Sequence, residues 1–133
     1  MIEGSEPPVA GRYELLEVIG RGGSSTVHRA RDLRRDRSVA VKVVPSHDSD
    51  ADRRRRRREA AMLPSLRHPA LVSVLDQHVD DDRTLLVMEL LVDGTLRDRL
   101  RSGPLRPADV AAIGADVAAG LDPSMAAASC TAT

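Results

Sequence analysis

The arrangement of apolar and polar positions divides the chain into short extended runs followed by longer helical ones. Tyr13 to Ile19 reads as a strand closed by Gly20, and Thr26 to Ala30 opens a second strand after a turn rich in Gly and Ser. Ser38 to Val44 is a continuous β-branched run ending at Pro45, the pattern of a strand covered on both faces. From Asp50 to Leu63 the pattern becomes helical, with Asp50 and Asp52 in the first turn, where they suit the helix dipole, and Pro64 just past the end. Two further strands, Leu71 to Gln77 and Thr84 to Glu89, flank an Asp80-Asp81-Asp82 turn. Thr95 to Arg101 and Pro107 to Leu121 are predicted helices. The expected order is β-β-β-α-β-β and then two helices.

Composition narrows what such a chain can do. Its 133 residues allow one compact domain, and 20 basic side chains are balanced by 20 acidic ones. No global field therefore recruits nucleic acid or an anionic membrane. Phe and Trp are absent and Tyr13 is the one aromatic residue, which removes the material of a base-stacking platform. The core is expected to be Val, Leu, Ala and Ile. No apolar stretch approaches membrane-spanning length, and the leader Met1 to Gly11 is acidic and Pro-containing rather than signal-like. A single cysteine, Cys130, excludes an internal disulfide framework, so the expected location is cytoplasmic. The run Arg53 to Arg58 reads as the solvated face of a helix able to hold an acidic or phosphorylated partner.

The tip of the first hairpin carries the first chemical signal. Gly20-Arg21-Gly22-Gly23-Ser24-Ser25-Thr26-Val27 places glycine where a backbone must approach phosphate oxygens without a Cβ in the way. A dinucleotide fingerprint would put a helix directly after the glycines, whereas here Thr26-Val27 resumes a strand; a plain Gly-rich hairpin turn remains the simpler alternative. Val39-Ala40-Val41-Lys42 then sets one ammonium inside an apolar strand, where an unpaired charge is costly unless an anion meets it. Glu59 is the one acid between Arg53 and Asp76, and it lies in the predicted helix.

In this order, the Gly-rich loop, strand lysine and helix glutamate resemble the bacterial serine/threonine protein kinases of eukaryotic type, over about Arg12 to Leu121. Gly20, Gly22 and Val27 fill loop positions, and Ser25 replaces the third glycine. The resemblance implies an ATP cradle formed by Ile19, Gly20, Gly22, Gly23, Ser25, Val27, Ala40 and Lys42, with Lys42 on the phosphates and Glu59 holding Lys42. Leu66-Arg67-His68-Pro69 looks like the family's His-Pro connection, with His68 structural. Leu85 to Leu91 looks like the last strand and interlobe hinge, where Met88 would be the gatekeeper and the backbones of Glu89 and Leu91 would meet adenine. Asp93-Gly94-Thr95-Leu96 looks like the turn into the large lobe. His28, His47 and His78 show no metal spacing and are expected at the surface.

Phosphoryl transfer in this family uses a His-Arg-Asp loop and an Asp-Phe-Gly segment that holds Mg, and neither motif occurs in the chain. The expected fold is α+β: a kinase-like N-lobe of five antiparallel strands and one regulatory helix, then a hinge and two helices of an incomplete C-lobe. The expected divisions are a disordered leader (1–11), the N-lobe and hinge (12–91), the start of the C-lobe (92–121) and an aberrant tail (122–133). Read one base early with GC-rich codons, Thr131-Ala132-Thr133 can give His-Arg-Asp, so a frameshift near Asp122 or Pro123 is the expected origin of the tail. The functional expectation is the ATP-binding portion of a serine/threonine kinase whose parent acts on protein substrates, this chain alone being inactive. The alternative is a pseudokinase-like module docking through the Arg-rich helix.

Overall fold

The computed structural model describes residues 6–46, 49–62, 64 and 68–121. Its elements are β1 (Tyr13–Gly22), β2 (Ser25–Asp32), β3 (Arg37–Pro45), α1 (Asp50–Met62), β4 (Val74–Val79), β5 (Arg83–Met88), α2 (Leu96–Arg101) and α3 (Pro107–Gly120). The chain divides into two units, one of residues 1–65 and 74–90 and the other of residues 66–73 and 91–133. The aberrant-tail expectation, 122–133, and His47 lie outside the described residues.

The first unit is a five-stranded antiparallel sheet in the order β1-β2-β3-β5-β4, with α1 packed on β4. Register explains which side chains enter the core, because antiparallel partners share a face. Val39 pairs with Ala30, Val41 with Val87 and Val43 with Leu85, so one face is a β-branched and leucine surface. Val39, Val41, Leu85, Val87 and Ala30 are almost wholly buried there. Ile19, by contrast, is 48% exposed, and the core contains no isoleucine among the described residues. Tyr13, the chain's sole aromatic, is instead part of the core at 1% exposure. Val9 also joins this core at 8% exposure and forms a bridge with Tyr13, so the segment expected as a disordered leader is ordered from that point.

A polar clasp closes the sheet. β1 and β4 are its two outer strands, yet Tyr13 Oη donates a 2.8 Å hydrogen bond to Asp76 Oδ2 on β4. The sheet therefore curls until its edges meet. Arg12 donates two bonds to Asp32, Nε to Oδ1 at 2.8 Å and Nη2 to Oδ2 at 2.7 Å, while its Nη1 lies 3.8 Å from Asp76. Asp32 is buried to 1% exposure, and its charge is compensated by this fork and by the amides of Arg34 and Arg35. The Arg12 hydrogen bonds hold the Asp32 carboxyl well below the usual carboxylate range. Burial, with the bond to Asp76, pushes the Tyr13 phenol up to about 12. His78 is half-buried beside Asp76, with Nε2 3.1 Å from Oδ2, and His28 bridges Leu16 O and Thr26 Oγ1; neither is the plain surface residue expected.

The second unit contains α2, α3 and the turn at residues 68–71. Thr95 caps α2 through a reciprocal capping box with Asp98, and Gly94 reaches it at φ +80°. His68 acts structurally, as expected: its Nδ1 accepts the Ala70 amide at 3.0 Å. α3 approaches this turn at Gly120, where a Cβ would sit 3.4 Å from both Ala70 Cβ and Leu71 Cδ2. Val110, Val117 and Leu121 remain exposed.

Candidate nucleotide-binding face

The side of the sheet opposite the valine core gathers most of the residues expected to cradle a nucleotide. Gly20 pairs with Val27, Val27 with Lys42 and Lys42 with Leu86, which makes one row across four strands. In the adjacent row Ala40 pairs with Met88. Gly20, Val27, Ala40, Lys42 and Met88 thus share a face, and sequence separations as large as 68 positions collapse into two neighbouring rungs. Lys42 is half-buried among aliphatic neighbours, and no carboxylate lies within ion-pair distance of it among the described residues. An ammonium so placed favours an incoming anion, because desolvation has been partly met already and the charge has no internal partner.

The hairpin above this row is longer than the sequence pattern implies. β1 and β2 continue as a ladder to the pair Gly22 and Ser25, so Gly23-Ser24 is the whole turn. Gly23 has φ +45°, which a Cβ would disfavour, and the Ser25 hydroxyl donates to Gly22 O at 3.0 Å. Register shifts at Leu15/Val18 and Val18/Gly20 bend β1 before the glycines and leave Ile19 on the exposed bend. A backbone flap free of side-chain bulk results, with Gly22 and Gly23 facing open space.

Glu59 does not join Lys42. Its carboxylate accepts a 3.2 Å bond from Arg55 one turn earlier, and both side chains are mostly exposed. The position nearest the sheet is held by Arg56, whose Nη1 donates to the Thr84 hydroxyl at 2.5 Å. Thr84, Leu86, Val44, Ala60, Arg56 and Glu59 line a cleft of about 320 Å³ between helix and sheet. Leu86 is the register partner of Lys42 and Val44 lies two residues beyond it on the same face, so the cleft adjoins the ammonium. Glu89 follows β5 and is exposed, whereas Leu91 opens the second unit and is 60% exposed. Among the described residues no group of three acidic, His or Cys side chains is arranged to hold a metal.

The model of the protein kinase domain family matches residues 13–123. The chain belongs to the protein kinase family. Its relatives include serine/threonine-protein kinase PrkC of Bacillus subtilis, 40% identical over 102 residues, covering 74% of this chain and 16% of that protein. PknL of Mycobacterium tuberculosis is 42% identical over 113 residues, covering 83% of this chain and 28% of its own length. A crystal structure of Rad53 in complex with AMP-PNP superposes with a TM-score of 0.65 at 25% identity, over 76% of this chain and 26% of that one. The chain therefore spans less than a third of each of these relatives, and the Rad53 superposition shows its antiparallel sheet and helices to be a kinase N-lobe fold. Sequence reasoning missed two parts of this kinase unit. The clasp of Arg12, Tyr13, Asp32 and Asp76 joins residues far apart with no local motif. The Arg56–Thr84 contact was hidden in a run of six arginines that all read alike.

Proposed function

We propose that the face bearing Lys42 binds the phosphates of ATP, and that this chain is the nucleotide-binding part of a serine/threonine protein kinase. The observation that carries the reading is the half-buried Lys42 ammonium, without an ion-pair partner among the described residues, in the row Gly20–Val27–Lys42–Leu86 beneath a glycine flap. Val27, Ala40 and Met88 supply an apolar bed for adenine, Lys42 holds phosphate oxygens, and the backbone of Glu89 meets the adenine edge. ATP, when bound, would supply the γ-phosphoryl that the parent kinase passes to protein hydroxyls. Among the described residues no group of three His, Cys, Asp or Glu side chains is placed to hold a metal ion, and with no Phe and no His-Arg-Asp tripeptide in the sequence given, these residues are proposed to bind nucleotide without transferring phosphoryl by themselves. No helix among the described residues is long and apolar enough to cross a membrane, and a cytoplasmic location is part of the proposal.

Docking through the Arg-rich helix is the weaker reading. Arg53 pairs with Asp50 and Asp81, Arg56 donates to Thr84, and Arg57 donates to Val79 O, so half of the run serves the protein's own sheet. Isothermal titration of the full chain with Mg-ATP decides between them. Binding weakened about tenfold or more by Lys42→Ala, with the fold retained, is the expected result. Binding indifferent to that change would overturn the proposal.

A further inference from the structure

The outer side of α1 carries a charge pattern that the fold itself leaves unanswered. Of its six arginines, Arg53 and Arg56 are half-buried toward the sheet, while Arg54, Arg55, Arg57 and Arg58 are exposed. Arg55 pairs with Glu59, and Arg57 uses one nitrogen, Nη2, on Val79 O. Arg54 and Arg58 have no carboxylate within ion-pair distance among the described residues. Positions three and four apart are neighbours on a helix, so Arg54, Arg57 and Arg58 bring three guanidinium groups together. Like charges so placed oppose the helix, and an anion set among them removes that cost. Arg54 and Arg57, with Asp50 and Arg53, line a cleft of about 270 Å³, one wall of which is fixed because Arg53 is held between Asp50 and Asp81. Arg57 is also a wall of the next cleft, of about 540 Å³, whose other side is Asp80 to Asp82. Asp82 has no ion pair among the described residues, and Asp80 has a loose one, 3.7 Å from Arg83 Nε. A knot of positive charge thus lies beside a knot of negative charge.

We propose that Arg54, Arg57 and Arg58 form a docking surface for a phosphorylated segment of another protein, whose phosphate sits on the three guanidinium groups and whose neighbouring Lys or Arg meets Asp80 and Asp82. Guanidinium forks take phosphate oxygens two at a time, and a phosphorylated side chain carries nearly two negative charges at neutral pH. A long polyanion fits the pattern badly, because Asp50 and Asp52 at the start of α1 and Asp80 to Asp82 beyond Arg57 repel its further phosphates. A lipid surface fits it no better: the other exposed residues of α1 are charged or alanine, so nothing apolar enters a bilayer. The surface shares no residue with the rows that hold Lys42, so the inference does not rest on the nucleotide reading, and docking accompanies nucleotide binding rather than replacing it.

Fluorescence anisotropy on the full chain tests this with a labelled peptide in which phosphoserine is followed by lysines, beside the same peptide without the phosphate. The expected result is binding tighter by about tenfold or more for the phosphorylated form, with that preference lost when Arg54→Gln and Arg58→Gln are combined. Removing the same charge elsewhere, by Arg34→Gln with Arg35→Gln, leaves the preference intact. All four of these arginines are exposed, so urea midpoints stay near wild type and a lost preference is not lost folding. Equal binding of the two peptides overturns the proposal. An equal loss on removing Arg34 and Arg35 also overturns it, since that marks a general attraction of anions to the chain. A single-stranded oligonucleotide or a phosphatidylserine vesicle that binds more tightly than the phosphopeptide, and loses that binding in the Arg54 and Arg58 variant, overturns it in favour of a nucleic acid or a membrane.

Discussion

The clasp at the sheet edges and the seat of α1 are both built from arginine and oxygen acceptors, yet they fix their parts to very different degrees. In the clasp, Asp32 is buried and receives a two-pronged guanidinium plus two backbone amides, and Tyr13 ties the opposite edge strand through Asp76. Arg37 Nε also lies 3.8 Å from Asp32, so the buried carboxylate is held from several sides while Tyr13 and Asp76 join the sheet edges. In the seat, Arg53 and Arg57 reach from an exposed helix to a turn and a carbonyl that water could replace, while Arg56 donates to the buried Thr84 hydroxyl. The same chemistry is fixed where it is dry, at Asp32 and at Thr84, and replaceable where it is wet, at Asp81 and at Val79 O.

Removing the buried partner should produce the largest effect. Asp32→Ala leaves the Arg12 guanidinium facing a hole, and is expected to cost about 3 kcal/mol or more, a large share of a small domain's stability. Urea unfolding followed by circular dichroism measures it; a midpoint within error of wild type would mean the clasp does not hold the sheet. The pH dependence follows from the same bond. Because the folded Asp32 carboxyl titrates well below its unfolded value, its contribution is present above about pH 4 and is lost as pH falls below that point. The Asp32→Ala variant should lack this part of the acid transition.

Much of the first unit was legible because its signals are local. The β-branched run around Lys42, the Gly-Ser tip and the Asp80-Asp81-Asp82 turn each specify a structure within a few residues, and β3, the β1–β2 hairpin and the β4–β5 turn sit where those signals put them. Strand ends were less legible: β4 begins at Val74 rather than Leu71, because residues 66–73 belong with the second unit. The shared face of Gly20, Val27, Ala40, Lys42 and Met88 could be anticipated from the kinase resemblance, whereas register alone proves it. The clasp was illegible for a physical reason. Asp32 and Asp76 resemble any other acid in a chain with 20 of them, and only the curl of the sheet brings them to Arg12 and Tyr13.

A smaller effect is expected at the other end of the clasp. Tyr13→Phe keeps the ring in the core and removes the bond to Asp76, at a cost of about 1 kcal/mol. The phenol is pushed up to about 12 in the folded chain against about 10 when unfolded, so its contribution holds below pH 10 and disappears as pH rises toward 12. Tyr13 is the one tyrosine and there is no tryptophan, so the tyrosinate absorbance band follows this group alone. A titration midpoint near the unfolded value in folded protein would show that the ring is not buried against Asp76.

The smallest effect sharpens the contrast from the helix side. The pair of Arg55 and Glu59 is exposed and spaced four residues apart, an arrangement worth about 0.3 kcal/mol at most in water. Arg55→Ala should therefore leave the urea midpoint almost unmoved. A urea midpoint lowered as far as by Tyr13→Phe would mean that an exposed pair holds α1 as firmly as the buried phenol holds the sheet edges, and exposure would no longer separate the two sets of contacts.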